Sequence, residues 1–195
     1  MKASRIGRLV CIALAWFVCV AYSDSQARLM AQKQASSDKP WQEIVSTEGH
    51  FRVLLPDTPN EVFMPIDGQF VHTEFRAFTI KSPVALYAVL FGDFPNSSTD
   101  RETIAAAFDN GRDRAMSEGK LMLISEKDIS TAGLPAREYV FGDGAFVVRT
   151  RVYFMKERVY QTIFGRPALN GMPAGMVQYY DGLAATFFNS FKIGS

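Results

Sequence analysis

The chain has 195 residues, of which 48% are hydrophobic and 13% aromatic, and it contains 16 phenylalanines. This length suits one domain with a single core, and the abundance of Phe favours packed sheets over a helical bundle. The formal net charge is +1, so the composition excludes the strongly basic surface that a nucleic-acid partner requires.

Residues 1–27 have the three parts of a secretory signal peptide in the required order. Residues 1–8 carry three basic side chains, and residues 9–22 form an apolar run without interruption. A short polar stretch follows. The apolar run falls short of the roughly 20 residues that span a bilayer, so cleavage is favoured over the alternative of an uncleaved membrane anchor.

Cleavage after Ala27 places Ser25 and Ala27 at the −3 and −1 positions, and a cut after Ser23 is the alternative. Either cut removes both cysteines, Cys11 and Cys19, so the mature domain has no disulfide, Cys metal site or Cys nucleophile. The first cut removes three basic residues and one acidic residue. The mature domain then has 18 basic and 19 acidic residues, which gives a net charge near −1. We therefore expect an exported, periplasmic or extracellular protein with no integral membrane segment after cleavage.

Beyond the leader, the polar residues 28–40 predict a flexible linker, and residues 41–195 predict a single globular domain. The domain opens with the alternating apolar pattern of strands. Strands are expected at residues 41–45, 50–55, 69–81 and 84–91, and a loop at residues 57–65, which hold several turn-favouring residues. The strand at 84–91 is apolar on both faces, which places it in the middle of a sheet.

The next element is a helix at residues 100–118. Thr99 and Glu102 have the spacing of a capping box at its start, and Gly119 suits the position just after its end. One stripe of the helix is apolar or small, which indicates the face turned to the core. The members of this stripe are Ile104, Ala107, Phe108, Gly111 and Ala115.

Strands resume after the helix and are joined by tight turns. They are expected at residues 121–129, 136–141, 145–155 and 158–164, followed by a second helix at 174–188. Because hairpins connect most of the strands, the sheet should be mainly antiparallel. The sequence thus predicts an α+β fold in which a mainly antiparallel sheet of about seven strands is flanked by two helices.

Several short motifs follow the signal peptide in a recognisable order: F-x-V-x-x-P-x-x-P at 51–59, G-L-P-A-R-E at 133–138, R-x-Y-F at 151–154, R-x-Y-Q at 158–161 and F-F-x-S-F-K at 187–192. This pattern resembles a group of small exported bacterial proteins with a PsbP-like α/β/α sandwich. PsbP itself is an extrinsic accessory subunit of photosystem II. The resemblance implies that fold and an accessory or binding role, with no catalytic residues to carry over.

One candidate metal site lies on the strand at 69–81. His72 and Glu74 are two residues apart, so their side chains share a face. Asp67 or His50 could complete a site for a metal that prefers nitrogen and oxygen ligands. The alternative interpretation is a half-exposed strand face that carries polar residues.

A candidate ligand or partner site is formed by arginines. Arg149 and Arg151 share one face of a strand with Tyr153, and Arg137 lies on the preceding strand. Guanidinium groups beside a tyrosine can bind an anion or a partner's carboxylates. The alternative is that these arginines pair with acids such as Glu138 and cover the sheet with their stems.

The mature chain has no G-x-S-x-G motif and no glycine-rich phosphate loop. We therefore expect a non-catalytic, exported accessory or binding protein that uses no cofactor and whose partner is an envelope protein or complex. The alternative is a metal-dependent or hydrolytic envelope enzyme that uses His72 and nearby acidic residues.

Overall fold

A computed structural model describes residues 40–68, 71–82, 84–94, 100–168, 171 and 173–194. Side chains are described for all of these except 66–68 and 71–73. The predicted signal peptide and nearly all of the predicted linker lie outside the described residues. Within them, no helix is long and apolar enough to cross a membrane.

The described chain forms two antiparallel sheets and two helices. The large sheet has the strand order β3-β4-β5-β9-β8-β7-β6, and the small sheet has the order β1-β2-β10. This confirms the predicted antiparallel sheet of seven strands with two helices. The strands are β1 (Gln42–Ser46), β2 (Phe51–Leu55), β3 (Asn60–Gly68), β4 (Val71–Lys81), β5 (Leu86–Asp93), β6 (Met122–Asp128), β7 (Ala136–Gly142), β8 (Phe146–Met155), β9 (Arg158–Pro167) and β10 (Lys192–Ile193), and the helices are α1 (Arg101–Gly119) and α2 (Ala174–Ser190).

The large sheet is covered on both faces. Helix α1 packs on one face, where Phe108 meets Phe154 of β8 edge to face at 4.8 Å between ring centroids. Helix α2 and the small sheet pack on the other face, where Phe51 of β2 contacts Phe91 of β5 at 6.0 Å. Two aromatic cores therefore lie on either side of one sheet.

Strand β5 lies in the middle of the large sheet, as its apolar sequence predicts. Ala88 and Leu90 contribute to the core under α1, whereas Tyr87 and Val89 contribute to the core under α2. All four side chains are buried. Because β5 contributes to both cores, it is apolar on both faces along its buried length, and its sequence therefore shows no alternation.

Strand β3 occupies residues for which a loop was expected, so that prediction is wrong. The strand pairs with β4 along its whole length, from Asn60 opposite Thr79 to Gly68 opposite Val71. It lies at the edge of the sheet, where Pro65 is tolerated because an edge strand leaves half of its backbone groups without a ladder partner.

The start of α1 also differs from the prediction. Asp100 caps the helix, and its carboxylate accepts hydrogen bonds from the Thr103 backbone N–H at 2.8 Å and from the Thr103 hydroxyl at 2.6 Å. A carboxylate satisfies the free N–H groups and also interacts favourably with the positive end of the helix. At the other end, the residue with left-handed backbone is Lys120, at φ 53°, and not Gly119.

A buried hydrogen bond joins β9 to the turn between β1 and β2. The Tyr160 hydroxyl donates to the carbonyl oxygen of Gly49 at 2.8 Å. We expect Tyr160→Phe to lower the free energy of unfolding by about 1 kcal/mol, because that carbonyl loses a buried partner. Urea denaturation measures the change. The more exposed Tyr179 provides the control Tyr179→Phe, and equal losses in the two variants would contradict the expectation.

Candidate functional site

Three of the four predicted binding residues lie on the α2 side of the large sheet. The guanidinium of Arg151 stacks 4.6 Å from the ring centroid of Phe188 in α2. Tyr153 lies 5.4 Å from the ring of Phe191, just after that helix. Arg149 precedes both residues at an alternate position of β8, so its side chain projects to the same face.

The fourth residue, Arg137, lies on the opposite face of the sheet. Its guanidinium is 5.0 Å from the ring centroid of Phe108 in α1. It also forms ion pairs with Asp109 at 3.0 Å and with Glu126 at 2.6 Å. The structure therefore does not bring Arg137 together with the other three residues, and it places Arg137 in an ion-pair network between α1 and the sheet.

Arg151 also has an acidic partner. Its Nε donates to the Glu138 carboxylate at 2.7 Å, and register places these two residues opposite each other on β8 and β7. Burial raises the pKa of the neighbouring Tyr153, and the charge of Arg151 acts in the opposite direction. The polar groups of Arg151 and Tyr153 are therefore largely engaged within the fold.

Arg149 lies beside a second arginine, Arg166 of β9. In the register of β8 and β9, Arg149 lies opposite Phe164, and Val147 lies opposite Arg166. Phe164 is buried in the core under α2, so both arginines lie on the α2 side of the sheet. Such diagonal neighbours are roughly 7–8 Å apart at their backbones. Neither arginine makes an ion pair with the part of the chain that the structure describes.

The pKa of Arg166 is affected by its burial and by the charges near it. Burial lowers the pKa of Arg166, the negative charge of Asp181 in α2 opposes that shift, and the positive charge of Arg149 adds to it. Nη1 of Arg166 donates to the carbonyl oxygen of Pro167 at 3.0 Å. An anion that entered between the two guanidinium groups would relieve their repulsion and accept their remaining hydrogen bonds.

Apolar side chains border the two arginines. Ile124 of β6 is 59% exposed and reaches across Gly142 toward Val147. A Cβ atom on Gly142 would lie 3.0 Å from Ile124 Cδ1 and 3.7 Å from Val147 Cγ2. We call the surface formed by Arg149, Arg166, Val147 and Ile124 the arginine face. It combines hydrogen-bond donors with exposed hydrocarbon.

The sequence interpretation missed Arg166 because it ended the last long strand at residue 164. Strand β9 continues to Pro167. Arg166 extends the alternation of Tyr160, Thr162 and Phe164, and this period of two residues was the signal that could have identified it.

The predicted metal site on β4 stays a prediction. Register places Asp67 opposite His72 and Pro65 opposite Glu74. The side chain of Glu74 is exposed, and that of His72 lies outside the described residues. Among the side chains that are described, no group of three or more His, Cys, Asp or Glu residues could hold a metal ion.

The architecture defines a class of protein, those with a PsbP-like fold. The solution structure of cyanobacterial PsbP (CyanoP) from Synechocystis sp. PCC 6803 is similar, with a TM-score of 0.54 and 13% identity over 80% of this chain and 93% of that chain. A crystal structure of PA94 from Pseudomonas aeruginosa, a protein of unknown function described as a putative regulator, gives a TM-score of 0.36 and 12% identity over 73% of this chain and 93% of that chain.

No protein-family model and no curated protein matches the sequence. At 13% identity, the similarity to CyanoP shows the fold alone. It confirms the expected PsbP-like sandwich. The similarity to PA94 is too weak to add to this conclusion.

Proposed function

We propose that this chain is an exported, non-catalytic accessory protein that binds an acidic segment of an envelope protein through the arginine face. The proposal rests on one observation, the diagonal placement of Arg149 and Arg166 on neighbouring strands, where the charge of Arg149 acts on Arg166 and neither residue has an ion pair within the described chain. A carboxylate from a partner would complete the hydrogen bonding of both guanidinium groups. Arginine suits this task because its planar donors match a carboxylate.

The composition of the arginine face supports a protein partner over a free ion. Arginines beside exposed apolar side chains are typical of the residues that contribute most to protein interfaces. Ile124 and Val147 offer hydrocarbon that a small inorganic anion would leave uncovered. An extended segment with alternating acidic and apolar side chains would cover both the charges and the hydrocarbon.

A charge reversal tests this proposal. We expect the mature domain to bind a synthetic peptide of alternating Glu and Val, with an affinity that falls as salt is added. The double variant Arg149→Glu, Arg166→Glu should lose this binding. Isothermal titration calorimetry gives the affinities, and circular dichroism verifies the fold of each variant.

Arg52 provides a matched control. It is an exposed arginine on β2 in the small sheet, so Arg52→Glu changes charge in the same way at a different place. Peptide binding by this variant should equal that of the unaltered domain. The proposal fails if the peptide does not bind the unaltered domain, or if Arg52→Glu weakens binding as much as a reversal at Arg149.

Export is the second part of the proposal, and N-terminal sequencing of the protein recovered from its native cell envelope tests it. We expect the mature chain to start at Arg28, or at Asp24 if the alternative site is used. The physical reason is that the apolar run is long enough to engage the export machinery and too short to anchor the chain. A mature protein that retains Met1 would refute cleavage.

The competing proposal is a metal-dependent envelope enzyme built on His72, Glu74 and Asp67. The register that sets Asp67 opposite His72 supports it, since a histidine and a carboxylate side by side can share a metal. Metal analysis of the purified domain separates the two proposals. Stoichiometric zinc or manganese that disappears in His72→Ala would support the enzyme, and a metal-free domain would count against it.

A further inference from the structure

A cleft of about 680 Å³ lies on the α1 side of the large sheet, between the start of α1 and the hairpin that joins β6 to β7. Its size falls within the range of roughly 300–1,000 Å³ that is typical of small-molecule sites. The cleft is separate from the arginine face, which lies on the other side of the sheet. Its apolar lining consists of Ile104, Phe108, Leu134, Pro135 and Phe154, with Ala105 beside them.

Polar side chains border this apolar lining. The cations are Arg101, Arg137 and Lys156, and Asp128 is the one acid among the described residues that line the cleft. The guanidinium of Arg137 is engaged by the carboxylates of Asp109 and Glu126. Arg101 is exposed and makes no ion pair with the described chain, so its guanidinium is available to a ligand.

Asp128 limits the charge that a ligand can carry. Its carboxylate accepts a hydrogen bond from the Ser130 backbone N–H at 2.8 Å. Hydrogen bonds from the side chain and backbone of Ser130, together with the nearby charges of Arg137 and Arg101, lower the pKa of Asp128. It is therefore ionised at neutral pH, and its charge repels a dianion such as phosphate more strongly than a monoanion.

We propose that this cleft binds an amphipathic carboxylate, a small molecule with one carboxylate and an apolar body. The carboxylate meets the guanidinium of Arg101, which matches it in shape and charge. The hydrocarbon body covers Ile104 and Leu134 at the opening and reaches toward Phe108 on the floor. This site does not depend on the arginine face and would act alongside a protein partner bound there.

Octanoate is the probe for this proposal. The mature domain is titrated with octanoate, and its amide chemical shifts are measured at each step. We expect saturable shifts of residues that line the cleft, above all in the segments 101–108 and 128–135. Arg101→Gln should weaken octanoate binding by about tenfold, the factor that corresponds to the loss of one charge-assisted hydrogen bond. Arg52→Gln, at an exposed arginine on β2 in the small sheet, is the matched control and should leave octanoate binding unchanged.

Two further probes separate the contributions of charge and hydrocarbon. Octanol has a similar hydrocarbon chain without the charge and should bind more weakly than octanoate by a similar factor. Inorganic phosphate has charge without hydrocarbon and should cause no shifts in these two segments. The proposal is overturned if octanol binds as tightly as octanoate, if phosphate gives the same shifts, or if no saturable octanoate binding occurs.

A second variant keeps the test independent of Arg101. Ile104 is partly buried in the first turns of α1 and packs against the core under that helix. The variant Ile104→Glu places a negative charge in the cleft, and the dispersion of its amide spectrum verifies that it folds. We expect this variant to abolish octanoate binding while the amide spectrum stays dispersed. Unchanged octanoate binding by a folded Ile104→Glu variant would refute the site.

Discussion

Replacement of Phe187 by alanine is expected to lower the free energy of unfolding by about 3–5 kcal/mol, a large part of the total stability of a domain of this size. Phe187 is fully buried on α2. It packs edge to face against Tyr87 of β5, with ring centroids 5.5 Å apart, and against Phe188 at 5.2 Å. Alanine would leave a cavity between the helix and the sheet that rigid neighbours cannot fill.

Urea denaturation followed by the fluorescence of Trp41 measures this loss, since Trp41 is the only tryptophan after residue 27 and its ring lies 5.6 Å from that of Tyr87. Phe63→Ala is the matched control. Phe63 is 49% exposed on the edge strand β3, so the same truncation there should cost less than about 1 kcal/mol. Similar losses in the two variants would mean that α2 is not packed on the sheet as described.

The substitution Gly49→Ala is expected to lower the free energy of unfolding by about 1–3 kcal/mol. A Cβ atom at this position would lie 2.6 Å from two ring atoms of Phe51 and 2.8 Å from the hydroxyl oxygen of Ser46. Phe51 is fully buried, and the Ser46 hydroxyl accepts a hydrogen bond from the Gly49 N–H at 2.9 Å. Neither neighbour can move away without disturbing the core.

Gly182→Ala makes the same chemical change in a different environment. Gly182 is exposed on α2, and no atom would lie within 4 Å of the new Cβ. Because alanine favours helix over glycine, this variant should gain up to about 1 kcal/mol of stability. Thermal unfolding compares the two variants, and a Gly49→Ala domain as stable as the unaltered one would show that the turn can open to admit a side chain.

Local periodicity explains why much of the fold could be predicted. The buried residues of α1 are Ala107, Phe108, Gly111 and Ala115, four members of the predicted stripe. A helix buries residues at a spacing of three and four, and a central strand buries side chains on both of its faces, so both patterns are visible in a short stretch of sequence. Hairpin turns then determine which neighbouring strands are antiparallel.

The location of the candidate site could not be predicted in the same way, because it depends on contacts between residues that are far apart in the sequence. Arg137 and Arg149 occur on neighbouring strands, and only the register decides that they lie on opposite faces. Whether an arginine is paired depends on acids far away in the chain, as with Asp109 and Arg137. The prediction of β3 as a loop failed for a related reason. Asp57, Pro59 and Asn60 signal turns in isolation, and the pairing with β4 overrides that preference.

Both sheets contain pairs of strands that are far apart in the sequence, and this affects how the chain folds. Strand β2 pairs with β10, more than a hundred positions later, and β5 pairs with β9 across about seventy. Such a high contact order slows folding, because distant segments must meet before the structure is stable. A chain emerging from the ribosome would stay unfolded until its last strands were made, and an export route that threads unfolded polypeptides would have time to engage it.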